Sequence, residues 1–297
     1  MEQFTIKDLE RLSGVKAHTL RVWERRYRII EPSRTETNRR RYTGSDLRRL
    51  INIAILLRNG FKISKVASLT DKEANEKAAE LLTAYEPGVP AVDSLILAMF
   101  DLNTATINEL IMRSVINGGL EECMEGLIFP FMNRIGAMWQ TGTVDPGYEH
   151  YMTGIFRSRL ISSIDSLTYP KSNQRRALLF LPEKELHELP LLYFAWIAKK
   201  MGFEIIYLGQ MTPLASVIKL CEKWNPQYLI TGTATLLPDN PMKYLNDLSK
   251  AFPGRKVLVS GTLAPVAADA GLKNIIAVRS SADLKSNMSG SSSSGQQ

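Results

Sequence analysis

Residues 177–190 read ALLFLPEKELHELP, and this stretch decides how the C-terminal third folds. ALLFL has no polar face and is too short for a core helix, which is the pattern of a strand covered on both sides in a parallel sheet. The same kind of run returns as EIIYLG (204–209), YLITGTAT (228–235), KVLVSG (256–261) and NIIAV (274–278). Between these runs lie helical stretches such as LPLLYFAWIAKKMG (189–202), PLASVIKLCEKWN (213–225) and NPMKYLNDLSKAF (240–252). Regular alternation of strand and helix predicts a doubly wound parallel sheet over residues 174–284. In such sheets ligands sit outside the carboxyl ends of the strands, and LPEKELHELP is the loop at one of those ends. It holds His187, one of three histidines. A lone loop histidine is more often a surface residue than a ligand, so its role depends on the rest of the chain.

The chain has 297 residues and a formal net charge of +7. Residues 1–70 contain sixteen Lys or Arg against seven Asp or Glu, so the remainder is slightly acidic and the whole basic excess lies in the first quarter. This asymmetry predicts a polyanion-binding module joined to a near-neutral one. The longest apolar run, Leu189 to Ala198, falls short of the ~20 residues of a membrane span. The polar MEQFTIKDLE start is no signal peptide. The expectation is a cytoplasmic protein without membrane contact. Cys123 and Cys221 lack metal-ligand spacing, which speaks against a disulfide framework, a zinc site or a thiolate sensor.

Thr5-Ile6-Lys7-Asp8 has the form of a capping box and predicts a helix start. Ile6, Leu9 and Leu12 give that helix an apolar stripe, Ser13-Gly14 turns the chain, and Leu20, Trp23 and Tyr27 stripe a second short helix. Two short helices joined by a glycine turn predict a helix-turn-helix. Burying the stripe leaves Lys16, His18, Thr19 and Arg21 for base edges and phosphates in a major groove. The polar segment EPSRTETNRRRY reads as a wing, with Arg39, Arg40, Arg41 and Tyr42 as backbone contacts. A second capping sequence, Thr43-Gly44-Ser45-Asp46, follows. We place this domain at 1–72, a polar linker ending in Glu86-Pro87-Gly88 at 73–91, and a disordered low-complexity tail at 285–297.

Four helical segments, near 92–101, 105–117, 119–140 and 146–167, predict a four-helix bundle over residues 92–170. Within it, MWQTGTVDPGYEHY (138–151) puts Trp139 at one helix end and Glu149-His150 in the first turn of the next. Alone, this reads as core packing and compensation of the helix dipole.

TIKDLERLSGVKAHTLRVWERRYRIIEPSRTETNRRRY (5–42) resembles the winged-helix domain of MerR-type regulators. Its Trp23, where most of that family has tyrosine, is similar to the light-responsive, cobalamin-dependent repressors CarA, CarH and LitR. Trp139, nine intervening residues and Glu149-His150 match that subgroup's Trp-x9-Glu-His motif, which covers the upper corrin face. Glu185-Leu186-His187 is similar to the Asp-x-His of cobalamin-binding domains, which implies His187 as the lower axial ligand of cobalt. Thr235, in a divergent Ser-x-Leu segment, and Gly261, in a divergent Gly-Gly pair, would line the tail cleft.

The chain departs from this pattern at Arg28 and Asn38, where the subgroup has Gly, at Glu185 for Asp, at Pro190 for Gly and at Ser260 for Gly. Added side chains at Pro190 and Ser260 predict an altered tail cavity. The resemblance covers nearly the whole chain, and predicts a multidomain α and α/β protein: winged helix-turn-helix, four-helix bundle and flavodoxin-like cobalamin domain. It implies a non-enzymatic repressor that binds promoter DNA, holds adenosylcobalamin and assembles as a dimer or tetramer, with RNA polymerase a further partner. A regulator that has lost cobalamin is the alternative. A corrinoid carrier is disfavoured by the basic N-terminal domain.

Overall fold

The structure, a computed structural model, describes residues 3–34, 38–83, 91–139, 145–168, 175–234, 238 and 240–289. It divides into two compact units, Met1–Thr153 and Gly154–Gln297.

The first unit opens with β1 (Gln3–Phe4), α1 (Ile6–Ser13) and α2 (Ala17–Tyr27), followed by β2 (Ser33–Arg34) and β3 (Arg40–Thr43). The three strands form an antiparallel sheet in the order β1-β3-β2, with Phe4 opposite Tyr42 and Ser33 opposite Arg41. Helix α3 (Gly44–Arg58) packs on α1, and α1 on α2; Leu47, Leu50 and Ile51 of α3, Leu9 and Leu12 of α1 and Leu20 of α2 are all buried. Both expected capping boxes are made: Thr5 with Asp8 starts α1, and Thr43 with Asp46 starts α3. Gly14 ends α1 at φ 71°, and a Cβ there would lie 3.0 Å from Arg58 Nη2, so the turn between α1 and α2 needs a residue without a side chain.

After the short α4 (Ile63–Val66) comes α5 (Asp71–Thr83). This corrects the linker expected over 73–91: its first part is helix, opened by Thr70, whose hydroxyl and amide both bond Glu73 at 2.8 Å. Ala74 and Ala78 are buried and α5 packs on α3. Two alanines make an apolar stripe too small to register as hydropathy, although the packing is tight. The remainder of that linker, residues 84–90, lies outside the described residues.

The four predicted helical segments appear as α6 (Ala91–Phe100), α7 (Thr104–Glu122), α8 (Phe129–Trp139) and α9 (Pro146–Asp165). A π-helical turn, Cys123–Ile128, joins α7 to α8, and α7 kinks at Gly119, where φ is 77°. Leu95, Met99, Ile107, Ile111, Leu127 and Phe131 form the core of the bundle.

In the second unit five parallel strands alternate with helices: β4 (Arg176–Phe180), α10 (Leu189–Lys200), β5 (Glu204–Gly209), α11 (Leu214–Trp224), β6 (Tyr228–Thr233), α12 (Pro241–Ala251), β7 (Lys256–Gly261), α13 (Ala264–Asp269), β8 (Ile275–Val278) and α14 (Ser281–Ser289). The sheet order is β5-β4-β6-β7-β8, which is the flavodoxin-like order 2-1-3-4-5 with its switch point between β4 and β6. The expected mixed α and α/β architecture is thus present. The tail expected from 285 begins as helix, because Leu284 and Met288, four residues apart, are buried beneath a serine- and asparagine-rich surface. Residues 290–297 lie outside the described residues. No helix among the described residues is long and apolar enough to cross a membrane.

Candidate functional site

The basic N-terminal domain presents one face. Lys16, His18, Arg21 and Arg25 are exposed along α2, and Thr19 is half-buried. A groove of about 680 Å³ runs between α2 and the wing, lined by His18, Arg21, Arg25, Arg28, Arg34 and Arg40. Its shape depends on Glu24, which the sequence reading passed over. Arg40 Nε reaches both Glu24 carboxylate oxygens at 3.1 Å, and Tyr42 donates its hydroxyl to Glu24 at 3.3 Å.

Tyr42 is wholly buried, and burial, aided by the Glu24 charge, pushes its hydroxyl up to about 12. It therefore does not take the surface contact expected of it and instead pins the wing to α2. Arg40 is largely committed to Glu24, which leaves exposed Arg39 and half-buried Arg41 as the wing's outward charges. Asn38 adopts φ 58°, a left-handed conformation that asparagine tolerates, and its side chain accepts from Arg34 at 2.6 Å. Arg28 caps α2 at φ 50°. A side chain there costs about 1–2 kcal/mol, spent on placing a cation at the groove.

At the switch point of the parallel sheet the loop after β4 makes a tight turn, closed by Glu185 N donating to Pro182 O at 3.1 Å. The turn delivers Glu185 to a buried position between two strand ends. One oxygen accepts from the backbone N of His187 at 2.8 Å and meets His187 Nδ1 at 2.7 Å; the other accepts from Ala234 N, just past β6, at 2.8 Å. Burial opposes the charge, but the hydrogen bonds from His187 and Ala234 outweigh it and hold the carboxyl at about 2. An ionised carboxylate only accepts, so Nδ1 carries the proton of this contact. The neighbouring Glu188 is also buried; it accepts from Arg157 of α9 and from the Tyr207 hydroxyl at 2.8 Å, fixing the start of α10.

Beside this pair lies a cleft of about 560 Å³, lined by Pro182, Glu183, Glu185, Thr212, Thr233 and Tyr244. Ser260 and Pro190 are not among its lining residues. The Ser260 hydroxyl donates to Thr231 O at 3.3 Å, back into the sheet, and Pro190 sits in the first turn of α10. The Ser260 hydroxyl is thus turned toward the sheet. Gly261 contributes through its backbone: at φ 68°, a Cβ would stand 1.9 Å from Thr233 O, so only glycine lets β7 close on β6 there.

Thr235 lies outside the described residues. In the first unit, Trp139 ends α8, though its side chain lies outside the described residues. In the first turn of α9, Glu149 is half-buried and accepts from Thr153 at 3.1 Å, and His150 is exposed. Both cysteines are buried, and burial pushes the Cys221 thiol up to about 11.

A winged helix with a basic groove, followed by a helical bundle and a doubly wound sheet with an open switch point, defines a class of multidomain DNA-binding regulator. Residues 4–73 match the MerR HTH family regulatory protein, and residues 91–161 match the B12 binding domain. The chain is similar to the HTH-type transcriptional repressor CarH of Myxococcus xanthus, with 25% identity over 261 residues, 85% of this chain and 87% of that one. To CarA of the same organism it is 26% identical over 262 residues, 86% of this chain and 85% of that one. Its first domain alone is 34% identical over 73 residues to the transcriptional regulator MlrA of Escherichia coli K12, 25% of this chain and 30% of that one. The chain is a transcriptional regulator with a MerR-type helix-turn-helix and a B12-binding-type region, and its resemblance to the CarA and CarH repressors is borne out. Those relatives are repressors rather than enzymes.

Arg28→Gly relieves the left-handed strain and should stabilise the first unit by roughly 0.5–1 kcal/mol, while removing one groove charge and lowering the salt slope of DNA binding by up to about 0.9. A urea titration and binding at several salt concentrations check both; a less stable variant contradicts the account. Glu185 titrates in the fold at about 2 against an ordinary 4.5. Its stabilisation is therefore complete above about 4.5 and lost as pH falls toward 2. Glu185→Gln should flatten the acid limb of stability in that window, read by circular dichroism, and an unchanged limb contradicts it.

Proposed function

We propose that this chain represses transcription from a promoter to which its winged helix binds, and that a cobalamin held by its parallel sheet controls that binding. The observation that carries this reading is the buried Glu185 carboxylate, which borders the switch-point cleft and meets His187 Nδ1 at 2.7 Å. A carboxylate behind a ligating imidazole orients the ring and raises its basicity. The residues present fit a corrinoid: one imidazole for the lower axial position, and beside it a polar and apolar hollow for the nucleotide tail.

On this reading His187 is the lower ligand and Glu185 its positioning residue. Pro182, Thr212, Thr233 and Tyr244 border the cleft that would take the tail, and the resemblance adds Thr235 and Gly261 to them. The resemblance would add Trp139, Glu149 and His150 to the residues that hold the group. An alkyl corrinoid, adenosylcobalamin first among them, supplies a cobalt–carbon bond that light breaks. The chain responds by linkage: a ligand that prefers one assembly state shifts the population toward it by its differential affinity. The dark, loaded chain is read as a dimer or tetramer that occupies promoter DNA through Lys16, His18, Thr19, Arg21 and the arginines of the wing. It thereby excludes RNA polymerase.

Purified protein mixed with adenosylcobalamin in the dark tests this, with absorption spectrum and elution volume recorded before and after green light. The expected result is a coloured dark oligomer that dissociates on illumination, and His187→Ala that fails to assemble. A colourless protein of unchanged size that still binds DNA contradicts the cobalamin reading and favours a cobalamin-independent regulator.

A further inference from the structure

Within the first unit the winged helix meets the bundle at several places, the Arg48–Asp101 ion pair and the α1–α8 packing among them, and two further fastenings bear on the wing. Asp93, in the first turn of α6, has no exposure. One of its oxygens pairs with Arg58 of α3, and the other accepts from Arg134 Nη1 of α8 at 2.7 Å. Arg58 also donates Nη2 to Ser13 O at 2.6 Å, beside the Gly14 turn. One buried carboxylate thus holds cations from both domains, and neither domain can leave without stranding charge.

The second fastening is aromatic. Phe4 of β1 meets Phe100 of α6 edge-on at 6.2 Å, and Phe100 meets Tyr148 of α9 at 5.3 Å. Tyr148 immediately precedes Glu149-His150. At the other end, Phe4 pairs with Tyr42 across the β1–β3 ladder, and Tyr42 and Arg40 converge on Glu24 of α2. A contiguous line of contacts therefore runs from the first turn of α9 to the wing and the second helix of the helix-turn-helix.

We propose that Tyr148, Phe100 and Phe4 act as a transmission line, with the Asp93 cluster as its fixed pivot, so that the first turn of α9 sets the order of the wing. Packed rings are bistable rather than deformable, so displacing Tyr148 unseats Phe100 and frees the β1 edge on which β3 is laid. The DNA-facing side of α2 takes no part in either fastening, so the fastened state is competent to bind. That a corrinoid drives this line rests on the cobalamin reading; the mechanical coupling does not.

Hydrogen exchange on the full chain without ligand tests the coupling, comparing wild type, Tyr148→Ala and Tyr151→Phe. The last loses the Tyr151 hydroxyl contact to Thr104 (2.7 Å) but keeps the aromatic line. The expected result is exchange of the wing amides at 40–43 accelerated about threefold or more in Tyr148→Ala and unchanged in Tyr151→Phe. Acceleration confined to the neighbourhood of residues 97–103 and 145–152, with the wing unchanged, overturns the proposal. Should Tyr148→Ala unfold the bundle, Tyr148→Leu retains apolar bulk without the ring and carries the same two outcomes. Adding adenosylcobalamin in the dark to wild type then separates the two ideas. A chain that ignores the ligand but shows the wing effect loses the cobalamin reading and keeps the transmission line.

Discussion

The second unit depends on one buried negative charge. Glu185 joins the loop after β4 to the end of β6 through Ala234, and in the same stroke orients the His187 ring. The carboxylate could not remain charged where it is without the three hydrogen bonds it receives, and the loop could not hold its turn without the carboxylate. Sheet topology explains why this happens here: strand order reverses between β4 and β6, so the connections diverge and leave a hollow that a side chain from one edge can bridge. The same group fixes the loop and positions the His187 ring.

The first unit follows the same logic with a different charge. Glu24 gathers Arg40 and Tyr42, and Asp93 gathers Arg58 and Arg134, so in a strongly basic domain a few carboxylates decide where the arginines point. The cations of α2 and the wing are those proposed to meet phosphate. An arginine at a left-handed position, Arg28, shows how far the chain accepts local strain to add a charge at the groove.

Much of this was legible in the sequence because it depends on neighbours. The capping boxes at Thr5 and Thr43, the break near Gly119 and the five apolar strands are set by residues a few positions apart, and each appears where the pattern put it. Helices α5 and α14 were missed because their buried faces are Ala74 with Ala78 and Leu284 with Met288, pairs too sparse to stand out from polar surroundings. Glu24, Asp93 and Glu188 were missed because their partners lie 16 to 41 residues away in sequence. The orientation of Ser260 was not legible for a related reason: sequence gives the identity of a strand-end residue but not whether its hydroxyl turns toward the cleft or, as here, toward Thr231.

On the cobalamin reading proposed above, His187, with Nδ1 held by Glu185, would ligate cobalt. Electron paramagnetic resonance of the protein loaded with cobalt(II) corrinoid reads this directly, because an axial nitrogen splits the cobalt lines. A single-nitrogen splitting that is altered when the protein is grown with labelled histidine, and is lost in His187→Ala, is the predicted result. A spectrum that neither the label nor the substitution changes would contradict it.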